Sequence, residues 1–225
     1  IVPTAARKPL IGYNLITVAL IATGFFSFGL WVHHMFTTGI PAMSMAFFSA
    51  ASMAVAIPSG IQFFSWIATF ASSDRKLEFN VPTLFVVGML FIFLIGGLTG
   101  VMVAMVPFNW QAHDTYFIVA HMHYVMIGGM VFPLFATFYY WVPIIAKKQL
   151  SERLGKITFW LMFIGFNVSF FPMHFTGLMG MPRRIWTYSD VMGWGPLNLV
   201  STIGAFMIAA GVLVFIIDLI RNFRV

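Results

Sequence analysis

The sequence predicts an all-α, polytopic transmembrane helix bundle with six spans. Three observations predict it. Of 225 residues, 60% are hydrophobic and 8% are charged, whereas a soluble domain carries about a quarter charged residues. Six acids and twelve bases cannot coat a soluble surface of this size, which excludes a soluble enzyme and a nucleic-acid binder. Six apolar stretches are long enough to cross a bilayer, since a helix needs about 20 residues to do so. They are continuously apolar rather than alternating, and too long for barrel strands, which excludes a β-barrel.

The stretches run over 10–35, 45–70, 81–105, 114–145, 157–180 and 197–220, and read as one transmembrane domain over 1–225. The first closes on His33 and His34. The second contains Pro58, the third Gly96 and Gly97, and the fifth Pro172; membrane helices tolerate such residues better than soluble ones. His113 and Asp114 sit at the N-terminal mouth of the fourth, which holds His121 and His123. The sixth is apolar almost to its end. No internal repeat is visible. The chain opens on Ile1 without a signal peptide, so it reads as a fragment or a processed piece of something longer. Cysteine is absent, which excludes disulfides, iron–sulfur clusters, thiolate-ligated haem and any Cys-ligated copper or zinc.

Charge orients the spans. With the leading residues on side A, Arg7, Lys8, Arg75, Lys76, Lys147, Lys148, Arg153, Lys156, Arg221 and Arg224 fall on that side. Only Arg183 and Arg184 fall on side B. The asymmetry makes side A the cytoplasm or matrix. The outer arginine pair breaks that trend. Either it meets a local anionic partner, or it snorkels to the interface.

Six histidines, His33, His34, His113, His121, His123 and His174, lie within or near the side-B half of a span. Ionisable residues inside spans are rare and point to function. Residues two apart on a helix point about 200° apart, so His121 and His123 cannot share one small metal site. They can serve two cofactors on opposite faces of one helix, and imidazole is a standard axial ligand of haem iron. The alternative is a pair lining a water-filled cavity. His33 and His34, about 100° apart, can converge on one copper, zinc or iron ion. His113 and Asp114 suit Mg²⁺ or Mn²⁺; equally, Asp114 suits a helix N-cap. His174 is either a hydrogen-bond donor behind the site or an interfacial residue.

The stretch His113-Asp114-Thr115-Tyr116-Phe117-Ile118-Val119-Ala120-His121-Met122-His123-Tyr124 resembles the signature of subunit I of haem–copper terminal oxidases, the cytochrome c oxidase type. Trp31-Val32-His33-His34-Met35-Phe36-Thr37, Phe64-Ser65-Trp66-Ile67-Ala68-Thr69 and Gly180-Met181-Pro182-Arg183-Arg184 agree with it. The resemblance covers essentially the whole chain. It implies the C-terminal half, spans seven to twelve, of a twelve-helix subunit. It implies His33 and His34 as two of three copper ligands, His121 as axial ligand of the high-spin haem, and His123 as one axial ligand of the low-spin haem. It implies His113 and Asp114 as Mg or Mn ligands, and Arg183 and Arg184 as partners of the haem propionates. The implied cofactors are two haems of the a type, copper, and Mg or Mn.

The same resemblance implies catalysis of O₂ reduction to water, coupled to proton translocation, in the bacterial cytoplasmic membrane or the mitochondrial inner membrane. Its implied partners are the N-terminal half of the same subunit, subunits II and III, cytochrome c or quinol as donor, O₂ and membrane lipid. The N-terminal half would carry the remaining copper and haem ligands. Two positions depart from the family pattern. Gln62 stands where a lysine is usual on a proton route, so that route is either slow or replaced by one through other polar residues such as Ser59, and Asn109 stands where many members have aspartate. Two other readings compete. A dihaem electron-transfer cytochrome without copper leaves His33 and His34 unexplained. A transporter with a histidine relay needs no cofactor at all.

Overall fold

The structure, a computed structural model, describes residues 1–74 and 76–223; Arg75 and Arg224, two of the expected side-A bases, lie outside the described residues. The described residues are helical throughout, apart from connecting segments and one isolated bridge between Thr115 and Pro182. Six helical stretches among them are long and apolar enough to cross a membrane: Tyr13–Met35, Ala42–Ala71, Val81–Ala104, Tyr116–Ala146, Glu152–Leu178 and Gly195–Asn222. The chain is a multi-pass, all-α membrane protein.

Three of these stretches depart from one continuous α-helix, and prolines account for two of the departures. After the short helix α1 (Val2–Ala6), α2 (Tyr13–Leu30) tightens into a 3₁₀ turn at Trp31–Met35. The second stretch is two helices, α3 (Ala42–Ala54) and α4 (Ala56–Ala71). Pro58 lacks the N–H that would bond the carbonyl of Ala54, so the helix breaks at Val55 and restarts. Helix α5 spans Val81–Ala104, and a short α6 covers Val106–Ala112. The fourth stretch is α7 (Tyr116–Met126), a π turn at Ile127–Val131, and α8 (Phe132–Ala146). Pro133 has no N–H for the carbonyl of Gly129. The Phe132 N–H instead reaches back to the Ile127 carbonyl, which widens the turn.

Helix α9 (Glu152–Leu178) starts earlier than the expected 157. Its first turn is charged, so hydropathy does not register it. Ser151 caps it by accepting from Leu154 N–H, and Glu152 pairs with Lys156 one turn on at 3.2 Å. Helix α10 covers Gly195–Phe223.

The packing resolves into two compact units, each with its own interior. One contains Glu78–Gly96 and the described residues from Asp114 onward. In it, α9 and α10 cross at glycines: a Cβ on Gly204 would lie 2.3 Å from Ser169 N, and one on Gly165 would lie 2.9 Å from the Gly204 carbonyl oxygen. Small residues at such crossings let helix backbones approach. The carboxylate of Asp218 on α10, itself 1% exposed, accepts from the Ser151 N–H that opens α9. The interior is aromatic, with Phe85, Phe132, Tyr124 and Phe166 fully buried. The second unit contains the described residues of 2–77 together with 97–113. There α2 packs on α4, and Ser49 on α3 donates to the Ala104 carbonyl at 2.7 Å.

Candidate haem and metal ligand sites

In the first unit the site is built on α7. His121 is buried at 9% exposure, and its Nδ1 lies 3.1 Å from the carbonyl oxygen of Gly96 on α5. His123 is half-buried, its Nδ1 lies 2.7 Å from the Val119 carbonyl, and its ring stacks on Phe170 of α9 with centroids 4.1 Å apart and planes 15° apart. A carbonyl only accepts, so both imidazoles carry their proton on Nδ1 and their basic lone pair on Nε2. This is the tautomer that metal-ligating histidines adopt. The two rings have different neighbours, α5 for His121 and α9 for His123, in keeping with their angular separation on the helix.

Gly96 is required for that geometry. A Cβ there would lie 2.9 Å from the Tyr124 carbonyl carbon and 3.0 Å from Val125 N, both backbone atoms. Tyr124 is fully buried and donates to Asn167 at 2.9 Å. His174 on α9 is buried; its Nδ1 donates to the Phe171 carbonyl at 3.2 Å, and its ring contacts Phe117 and Tyr124 of α7 edge-on or tilted. Its Nε2 is buried without a hydrogen-bond partner. His174 is therefore interior, not interfacial.

The segment after α9 is pinned to the start of α7. Tyr116 N–H donates to the Met181 carbonyl at 3.0 Å, and Arg183 N–H to the Asp114 carbonyl at 2.8 Å. The Arg183 guanidinium pairs with the Asp114 carboxylate, giving this outer arginine a local anion. Its Nε is buried without a hydrogen-bond partner, a donor suited to a further carboxylate. Arg184 is exposed. Asp114 does not cap α7: Thr115 holds that position, its hydroxyl accepting from Phe117 N–H at 3.2 Å. Asp114 and Arg184 both adopt left-handed backbone, at φ 56° and 66°. Such strain in a non-glycine residue persists only where its surroundings enforce it.

In the second unit, the 3₁₀ turn brings the His33 and His34 rings to a centroid distance of 4.2 Å with a 47° tilt. His33 Nδ1 is 3.2 Å from the hydroxyl of the buried Ser52. Asn109, 1% exposed, donates through Nδ2 to the Val103 carbonyl at 2.9 Å and to the His33 carbonyl at 3.4 Å. His113 ends α6, its N–H bonded to the Asn109 carbonyl at 2.7 Å. Gln62 is buried and donates to the Thr23 hydroxyl at 3.1 Å; Thr23 donates on to the Ala19 carbonyl at 2.9 Å. Ser59 sits three residues before Gln62 on α4, half-buried. Among the described residues no three His, Asp or Glu side chains gather around one point.

Sequence reasoning singled out the histidines but not the groups that orient them, Gly96, Val119, Phe170 and Ser52, nor Thr23, which accepts from Gln62. Gly96 alone left a trace, as a glycine inside an apolar span.

Imidazoles oriented by backbone carbonyls on an apolar, membrane-length helix, in a unit that also holds an arginine–carboxylate pair, define a class of multi-pass membrane protein with candidate metal or haem ligands in its spans. Residues 1–207 match the family model described as Cytochrome C and Quinol oxidase polypeptide I, and the chain belongs to that family. Cytochrome c oxidase subunit 1 of Bacillus subtilis (strain 168) is 47% identical over 220 residues, covering 98% of this chain and 35% of the relative. Quinol oxidase subunit 1 of the same organism is 45% identical over 224 residues, covering 100% and 34%. The cytochrome c oxidase subunit 1 of Synechocystis sp. is 47% identical over 218 residues, covering 97% and 39%. The chain thus spans about a third of the length of these curated relatives. A solved heme-copper terminal oxidase dimer matches in fold with a TM-score of 0.78 at 22% identity, covering 88% of this chain and 40% of that one.

Proposed function

We propose that this chain is part of the catalytic subunit of a respiratory haem–copper terminal oxidase, reducing O₂ to water with coupled proton translocation. In this reading residues 1–225 form one transmembrane domain, the C-terminal spans seven to twelve, and the N-terminal half of the subunit completes it. The observation that carries the proposal is the pair His121 and His123. Both are held as Nε2-basic imidazoles by backbone carbonyls, on two sides of one helix.

His121 is the axial ligand of the high-spin haem, and Gly96 fixes its ring. His123 is one axial ligand of the low-spin haem, and Phe170 fixes its plane. His33 and His34 ligate copper, steadied by Ser52. His113 and Asp114 hold Mg or Mn. Arg183 and Arg184 receive the haem propionates, with the buried Nε of Arg183 as a waiting donor. When bound, two a-type haems and copper supply electrons to O₂ close together, so that reduction runs through to water. Ser59 and Gln62 lie on the proton route from side A. Each charge moved across the membrane stores about 2.3 kcal/mol per 100 mV.

The partners are subunits II and III, cytochrome c or quinol, O₂ and membrane lipid. Relatives named for each donor are almost equally similar. The base asymmetry puts side A on the inner face, and the bacterial origin of the relatives named above favours the bacterial cytoplasmic membrane over the mitochondrial inner membrane. The side-by-side His33 and His34 rings, which a copper-free dihaem cytochrome leaves without a role, support this reading. The test is a reduced-minus-oxidised spectrum with metal analysis of the purified complex. Two haem components and about one copper per haem pair are expected; two haems without copper would favour the cytochrome.

A further inference from the structure

The side-A end of α9 carries a groove that the oxidase reading does not use. Its volume is ≈ 510 Å³, and its floor combines Ile157, Trp160 and Ile164 of α9 with Met207 of α10. Arg153 and Lys156 line its side-A end. Ile157, Trp160 and Ile164 are 40%, 50% and 43% exposed, so the apolar stripe is open. Trp160 is braced edge-on by Phe159 and Phe163. From Arg153 to Ile164 the stripe runs about 16 Å along the helix. That matches half of a hydrocarbon core about 30 Å thick, one leaflet.

We infer that this groove binds one anionic phospholipid of the side-A leaflet, its phosphate on Arg153 and Lys156 and an acyl chain along Ile157, Trp160, Ile164 and Met207. Charge selects the headgroup. Lys156 is shared with Glu152 at 3.2 Å, which leaves Arg153 as the stronger anchor. The same unit carries Lys147, Lys148 and Arg221 as well, five bases against the acids Glu78, Glu152 and Asp218 at the side-A ends of its helices. Asp218 is buried against the Ser151 N–H and is not among the residues that line the groove. Basic pockets between spans on the cytoplasmic side are suited to anionic headgroups. A tryptophan at that depth suits the lipid interface, and methionine adapts its shape to a mobile chain.

The test uses the assembled oxidase complex in nanodiscs of mixed phosphatidylglycerol and phosphatidylcholine, with retained lipid counted by mass spectrometry after purification. R153Q/K156Q should weaken phosphatidylglycerol retention on the order of tenfold and leave phosphatidylcholine unchanged. Ile164→Trp, which fills the groove, should displace lipid of either headgroup. A photoreactive amino acid in place of Trp160, with both bases intact, should crosslink to phospholipid. Wild-type retention of phosphatidylglycerol in R153Q/K156Q, or a crosslink to a protein chain instead of lipid, overturns the inference.

Discussion

His121 and Gly96 meet at one helix crossing: the imidazole Nδ1 lies 3.1 Å from the carbonyl oxygen of a glycine whose own Cα leaves no room for a side chain. Helix crossing and ring orientation are therefore one feature. Gly96→Ala would place a methyl 2.9 Å from backbone of α7. Separating the helices should cost about 1–3 kcal/mol and release the His121 ring. The expected outcome in the assembled complex is a reduced CO-binding haem signal with the low-spin band largely retained. An unchanged CO difference spectrum would detach Gly96 from the site.

The α9–α10 crossing should be less forgiving. A side chain on Gly204 meets Ser169 N and the Gly165 carbonyl, and backbone cannot step aside. Gly204→Leu is expected to abolish stable accumulation in the membrane, while Gly97→Ala, whose Cβ meets nothing within 4 Å, should accumulate normally. Immunoblots of membrane fractions distinguish the two.

Arg183 and Asp114 make a prediction with a sign. A positive charge beside a haem favours its reduced state. Arg183→Gln should therefore lower a haem midpoint potential, on the order of 50 mV, close to the one-electron equivalent of a tenfold change. Asp114→Asn removes the anion that pairs with Arg183 and should raise the potential. Redox titration of both variants checks this; shifts of the same sign would contradict it.

Much of this was legible in the sequence. Six spans follow from hydropathy alone, because an apolar run of that length has no other stable home. The charged first turn of α9 escaped the same measure, and Ser151 was the signal that marks it. The break at Val55 and the π turn at Ile127–Val131 follow from Pro58 and Pro133, through the N–H each proline lacks. The candidate ligands were visible because histidines in spans are rare. Their orienting partners were not, since the carbonyls of Gly96 and Val119 belong to the backbone and leave no mark in residue type. Asp114 was readable either as a cap or as a site residue, and only the structure gives the cap to Thr115 and the carboxylate to Arg183.

Gln62 is buried and bound to Thr23. An amide donates and accepts hydrogen bonds but does not carry a proton near neutral pH. Gln62→Lys should accelerate electron arrival at the high-spin haem if proton entry along this route limits it. Stopped-flow reduction of the assembled enzyme reads that rate, and an unaltered rate with unaltered turnover would remove Gln62 from the route.

The central claim is that one helix serves two different haems through residues two apart. The direct measurement is the reduced-minus-oxidised spectrum, with and without CO, of complexes carrying His121→Ala and His123→Ala. His121→Ala is expected to lose the CO-binding high-spin component, and His123→Ala to lose the low-spin band. Loss of the same component in both variants would contradict the assignment.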